Sequence, residues 1–263
     1  MKLSISLLQI SFDFGEPAKN LDRVTKYIRE AGKRGSDLAL VPELWASGYD
    51  LSNWEQYATP LDSGMFKRVS ELAKDNHLMI GCSLLELDKG APYNTFVLYD
   101  KEGELISRYR KMHLFRLLKE EQYLGEGNEI VTVDTFWGKI GLSICYDLRF
   151  PEIYRALALR GSRLVLVVAE WPERRVNHWD ILLRARAIEN QVFIAAVNKV
   201  GESKGVKLGG HSVSLDPWGK EIVYGSDHDI LLTGELDMDE INQARRWIPV
   251  FDDRRPGLYD LDS

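Results

Sequence analysis

The feature that most constrains this chain is a rhythm. Short apolar runs of strand length alternate with segments of helical spacing, and the alternation occurs twice. In the first half, Leu3, Ile5 and Leu7 alternate with polar residues and read as an opening strand. Leu21, Val24, Ile28 and Ala31 then mark one apolar helical face, and Gly35 stops the helix. Leu38–Val41 is a short buried strand ending at Pro42-Glu43. Phe66, Val69, Leu72 and Ala73 mark a second helix, and Leu78–Leu87 the next strand. Turn signals at Asp88-Lys89-Gly90 and Lys101-Glu102-Gly103 bracket the strand-like Thr95–Tyr99. This inserts an antiparallel meander into an α/β pattern.

The second half repeats the rhythm. Strands are predicted at Lys139–Ile144, Leu164–Val168 and Phe193–Val197, with helices at Pro151–Arg160 and Ile181–Glu189 between them. Leu164–Val168 is nearly all apolar, as expected of a strand covered on both faces. Ser212–Leu215, Glu221–Tyr224 and Ile230–Gly234 supply further strands. No Ser/Gly-rich linker divides the chain, so residues 1–263 read as a single domain. Two such sets suggest two packed sheets with helices outside.

Composition narrows the function classes. The chain is 44% hydrophobic and 28% charged, the balance of an ordinary globular protein with a sizeable core. A net charge of −6 argues against nucleic acid or an anionic membrane as the main partner. No apolar run approaches the ~20 residues of a membrane helix, and MKLSISLLQI is too short in its apolar part for a signal peptide. Two cysteines cannot make a disulfide framework, which points to a reducing, cytoplasmic setting. An enzyme and a soluble binding protein are the two classes that remain.

Cys82 falls inside the apolar strand and reads as packing. Cys145 follows Gly141-Leu142-Ser143-Ile144 and precedes Pro151, which favours the first turn of a helix. It therefore sits at a strand-to-helix elbow, where backbone N–H groups are expected to favour thiolate. Placement alone fits a catalytic thiol and a buried small residue equally well. None of the five histidines has the setting of a papain-type base, and no HExxH or CxxC offers a metal site. A redox thiol would want a resolving cysteine, and none is near in sequence. Two charges at strand ends stand out instead. Glu43 ends Leu38–Pro42, where an apolar wall is expected to raise its pKa toward that of a useful base. Lys111 ends Ile106–Arg110 and is a candidate oxyanion holder. Each alone reads rather as a solvated strand-end charge; three polar strand ends at one rim share a site.

These residues carry a resemblance. Leu40-Val41-Pro42-Glu43-Leu44, Tyr109-Arg110-Lys111-Met112-His113-Leu114-Phe115 and Gly141 through Glu152 resemble the three signature blocks of the nitrilase, or carbon-nitrogen hydrolase, superfamily, in the same order. The resemblance implies a four-layer α-β-β-α sandwich and a Glu-Lys-Cys triad. It makes Glu43 the general base, Lys111 the oxyanion stabiliser and Cys145 the nucleophile, with no metal or organic cofactor. A second glutamate is implied before Tyr123, and spacing favours Glu120 over Glu121. The Pro-Gly-Asp that follows in many members is here Gly125-Glu126-Gly127-Asn128.

Within the superfamily the chain most resembles omega-amidase-like members acting on 2-oxo-acid amides. Pro42-Glu43-Leu44-Trp45 with Gly48-Tyr49, Glu170-Trp171-Pro172, His178-Trp179 and Arg184–Gln191 carry this likeness, as do Ile248–Phe251 and Arg254-Arg255. The substrate would be a small amide bearing a carboxylate away from the scissile bond, which calls for a nearby cation. Arg149, Arg174 and Arg175 are candidates, with Arg149 alternatively an ion-pair partner at a helix start. Tyr49, Tyr146 and Trp171 are the candidate walls of the pocket. Short aliphatic amides, nitriles and N-carbamoyl amino acids are the alternative substrates, and a catalytically silent binding protein the alternative class. The resemblance also implies a homodimer or larger homo-oligomer, with a C-terminal arm at about 248–263 that reaches a partner.

Overall fold

A computed structural model describes residues 1–259. The first half forms β1 (Lys2–Gln9), α1 (Pro17–Lys33), β2 (Leu38–Leu40), α2 (Gly64–Asn76), β3 (Met79–Asp88), β4 (Ala91–Tyr99) and β5 (Leu105–Arg110). The second forms β6 (Thr132–Thr135), β7 (Gly138–Ile144), α3 (Pro151–Leu159), β8 (Ser162–Ala169), α4 (Val176–Asn190) and β9 (Phe193–Asn198). A short hairpin β10–β11 (Glu202–Ser203, Val206–Lys207), then β12 (Val213–Leu215), β13 (Glu221–Tyr224), β14 (Ile230–Asp237) and α5 (Glu240–Trp247) complete it.

The strands make two six-stranded sheets, ordered β14-β1-β2-β3-β4-β5 and β13-β12-β9-β8-β7-β6. Each has a parallel centre and antiparallel flanks: β1–β2–β3 in one and β7–β8–β9 in the other run parallel. The sheets pack face to face through alternate side chains of their strands. Ile5, Leu7, Leu40 and Phe96 of the first share one core with Leu142, Ile144, Leu166 and Val168 of the second. The opposite face of the first sheet carries Ala39, Val41, Ile80 and Val97, which bury Val24 and Ile28 of α1 and Phe66 and Val69 of α2. Helices α3 and α4 cover the outer face of the second sheet with Tyr154, Leu157, Leu183 and Ala187. The result is the four-layer α-β-β-α sandwich. Gly35, at φ +72°, turns the chain off α1 into β2. No helix among the described residues is long and apolar enough to cross a membrane.

Several elements differ from the sequence expectation. α4 begins at Val176, five residues before Ile181. Its buried residues mix Trp179, Leu183 and Ala187 with Arg186 and Asn190, so no clean apolar stripe marks its start. β14 runs on to Asp237, and β6, β10, β11 and α5 have no strong signal because they are short or largely polar. Phe251 of the C-terminal segment lies against its own chain, under Arg245 and Arg155, while Ile248, Leu258 and Tyr259 are exposed. Residues 260–263 of the expected arm lie outside the described residues.

Candidate active site

The candidate residues lie just past strand ends or in the loops that follow them. Glu43 lies three residues past β2, Lys111 directly follows β5, and Cys145 directly follows β7. Glu120 opens a single 3₁₀ turn (Glu120–Gln122) in the loop after Lys111. All four are buried, the two glutamates completely. Lys111 Nζ lies 2.9 Å from Glu43 Oε1 and 2.9 Å from Glu120 Oε1, so one ammonium bridges two carboxylates. The charges of Glu43 and Lys111 both act on the buried Cys145 thiol.

Both oxygens of Glu43 accept further hydrogen bonds. Oε1 also accepts from Asn94 Nδ2 at 2.8 Å and lies 3.2 Å from the Tyr49 hydroxyl. Oε2 accepts the backbone N–H of Glu170 at 2.9 Å. Glu120 Oε2 accepts the backbone N–H of Phe115 at 3.0 Å, and Oε1 accepts the Tyr49 hydroxyl. These contacts fix both carboxylates and, through them, the ammonium.

The protonation pattern departs from the sequence expectation at two residues. Burial pushes the Glu43 carboxyl up, as its apolar wall predicts, but Lys111 and the hydrogen bonds outweigh it and hold the group below its ordinary value. Cys145 is pushed well above the ordinary thiol value by burial and by the Glu43 charge, so the resting sulfur is a thiol, not the expected thiolate. The elbow's N–H groups do not offset that desolvation. α3 begins only at Pro151, and a separate 3₁₀ turn (Cys145–Arg149) intervenes. Burial also pushes Glu120 up, with Glu43 adding to the shift and Lys111 opposing it. Lys111 is held well above its usual range because the two carboxylates outweigh its desolvation. Cys82, packed in β3, is pushed up to about 12 by burial.

The elbow is backbone-strained. Cys145 sits at φ +45°, a conformation that non-glycine residues adopt at a cost of about 1–3 kcal/mol and that clusters at functional sites. Asp147 holds it there. Its buried carboxylate accepts from the Ile144 N–H at 3.1 Å, the Tyr109 hydroxyl at 2.7 Å and the His113 N–H at 3.1 Å. The Cys145 elbow is thereby tied to the loop that carries Lys111.

In front of Cys145 lies a cavity of about 240 Å³. Tyr49, Tyr146, Arg149 and Trp171 all line it, together with Arg174 and Arg175. Tyr146 packs against Phe115 and Phe150. Trp171 is buried, and Arg149 lies over its ring at 4.7 Å. The alternative for Arg149, an ion pair at the helix start, is not formed among the described residues; its polar neighbour is His178. Arg175 is pulled below the ordinary guanidinium value by partial burial and by Arg174 and Arg149, the mark of unbalanced positive charge.

Sequence reading missed three site residues. Asn94 lies mid-strand in β4, where nothing distinguishes it from a structural amide. Glu170 lines the cavity, and buried Lys199 pairs with it. Both directly follow strands, β8 and β9, so the strand-end reasoning that found Glu43 and Lys111 would have found them too.

Comparison with known proteins gives the class that this fold and site define. The chain matches the carbon-nitrogen hydrolase family model over residues 4–246. It is 38% identical over 260 residues to the 2-oxoglutaramate amidase of Bacillus subtilis (strain 168), covering 98% of this chain and 100% of that one. It is 32% identical over 272 residues to omega-amidase NIT2 of Mus musculus, covering 100% and 98%. Among solved structures, XC1258 of Xanthomonas campestris, a CN-hydrolase superfamily protein with an arsenic adduct in its active site, superposes with a TM-score of 0.91 at 29% identity, covering 97% and 98%. The chain belongs to the carbon-nitrogen hydrolase family. It is an amide-hydrolysing enzyme.

Proposed function

We propose that the whole chain is one catalytic domain that hydrolyses the terminal amide of a small 2-oxo acid, releasing ammonia through a cysteine thioester. The observation that carries this reading is the buried Glu43–Lys111 pair behind Cys145, which lines a cavity rimmed by Arg149, Arg174 and Arg175. The reactive end calls for an amide carbonyl. The arginine end calls for a carboxylate, and none of the three has an acidic partner among the described residues. The names of the Bacillus subtilis and mouse relatives support the same substrate class.

In the proposed reaction Cys145 Sγ attacks the amide carbon as its proton passes to Glu43. The resting thiol is neutral, so attack and proton transfer are coupled. Lys111 and a backbone N–H of the elbow hold the tetrahedral oxyanion; loss of one such donor typically costs ~10²–10³ in rate. Protonated Glu43 then gives its proton to the departing nitrogen, and ammonia leaves with the C–N bond. Glu43 next takes a proton from water, whose oxygen attacks the thioester, and Cys145 recovers its proton as the acid departs. Glu120 steadies Lys111 throughout. Tyr146 and Trp171 wall the substrate, and Tyr49 serves both wall and carboxylate pair. We place the enzyme in the cytoplasm as a homodimer.

An ammonia-release panel tests the substrate. Oxo-acid amides are expected to exceed propionamide, nitriles and carbamoyl amino acids in kcat/KM; a marked preference for any of the latter overturns the assignment. Cys145→Ala is expected to lose turnover by about 10³-fold or more. Near-normal turnover in that variant would refute the thioester.

A further inference from the structure

We propose that Glu170 and Lys199 form a second charge pair that positions Glu43 for proton transfer. The inference rests on Glu43 being the base, as proposed above, and adds two residues to that machinery.

The pair arises from register. β8 and β9 run parallel, with Val168 beside Val197 and Ala169 beside Asn198. One residue further along each strand come Glu170 and Lys199, which meet where the ladder ends. The Lys199 ammonium contacts Glu170 Oε2 with both side chains buried. Asn198 Oδ1 accepts the Trp171 N–H at 2.6 Å, and its amide donates to the Trp171 carbonyl at 3.1 Å. The segment therefore has little freedom to move. Apolar residues of similar volume close such a strand end with less desolvation penalty. The ion pair needs a reason beyond stability.

Two contacts supply it. The backbone N–H of Glu170 holds Glu43 Oε2, the oxygen that Lys111 does not touch. Lys199 Nζ lies 5.8 Å from the ring centre of Tyr49, whose hydroxyl reaches Glu43 and Glu120. The pair thus reaches both oxygens of Glu43, one through backbone and one through an aromatic ring. It also balances charge. Lys111 pairs with the buried Glu43 and Glu120, and Lys199 pairs with Glu170, whose side chain is 8% exposed and feels the charges of both Glu43 and Lys111. Without Lys199, Glu170 becomes an unpaired buried carboxylate beside the base. It then either takes up a proton or competes for Lys111, and either event displaces Glu43.

The test is steady-state kinetics on four variants. Lys199→Met is expected to lower kcat by about 10²-fold, the loss typical of a misplaced catalytic group. Its KM stays within about threefold, because substrate binding is not what is lost. Lys199→Arg restores most of kcat. Glu170→Gln lowers kcat less than Lys199→Met, and adding it to Lys199→Met costs less than the two single losses combined, since the groups act as a unit. If Lys199→Met does not fold, Lys199→Arg and Glu170→Gln carry the comparison. The proposal is overturned if the variants keep kcat within about threefold while only thermal stability falls, or if the two losses simply add. Failure of the thioester reading is separate: it would show as turnover without Cys145, whatever residues 170 and 199 do.

Discussion

Lys111 illustrates how a single side chain sets the chemistry of its neighbours. It is buried between two carboxylates, and its charge is what holds Glu43 below the ordinary carboxylate range against desolvation. The sign follows. A depressed carboxylate adds stability above its ordinary pKa and loses it as pH falls through the lower value. In Lys111→Met, Glu43 keeps its burial and its Glu120 neighbour but loses the cation, so its pKa rises. The acid limb of Cys145 alkylation by iodoacetamide is expected to move to higher pH in that variant. An unmoved limb would show that the hydrogen bonds from Asn94 and Glu170 suffice. The sequence marks Glu43, Lys111 and Cys145 by their strand-end positions, yet it puts the pKa shifts of Glu43 and Cys145 in the wrong direction. An apolar wall is legible in a sequence; an ammonium arriving from 68 residues away is not.

At the scale of elements, the Lys111 loop is held by glycine. Gly127 donates its N–H to the Lys111 carbonyl at 2.8 Å, and a Cβ there would stand 2.0 Å from the Arg110 carbonyl oxygen. Its absence of a side chain is what allows the two stretches of chain to touch. Gly127→Ala must push the β5 end away. We expect a stability loss of about 1–3 kcal/mol from the overpacked contact. A fall of about 10²-fold in kcat follows from displacing Lys111. Thermal unfolding and ammonia release read the two effects; a loss of stability with full kcat would show that the loop yields elsewhere. The helices α1–α3 were legible because each buries one periodic face, and the central strands because they are near-continuous apolar runs covered on both faces. α4 was legible only from its apolar second half, since its first turns carry His178 and Trp179. α5 and β6 were hidden because they are short and mostly polar.

For the whole molecule, the sandwich leaves an apolar cluster exposed at its surface. Trp218 and Trp247 pack edge to face at 5.9 Å, and Ile188 of α4 lies beside Gly219. All three side chains are exposed, Trp247 by 79%. Exposed aromatic clusters of this kind mark interaction surfaces. Light scattering is expected to give twice the 30.1 kDa chain mass, and Trp247→Glu to shift it toward the single-chain value. A monomer in the unaltered protein at micromolar concentration would refute the homodimer.

By itself, the sequence determined the alternation of strands and helices, the paired sheets that follow from it, and the three strand ends that carry polar residues. These are local properties, written in periodicity and turn chemistry. Only the tertiary structure decided which charges meet. One ammonium bridges Glu43 and Glu120, a second closes on Glu170 beside Glu43, and burial keeps Cys145 a thiol. Charge interactions depend on distance and local dielectric, and both are fixed only when the two sheets close over the site.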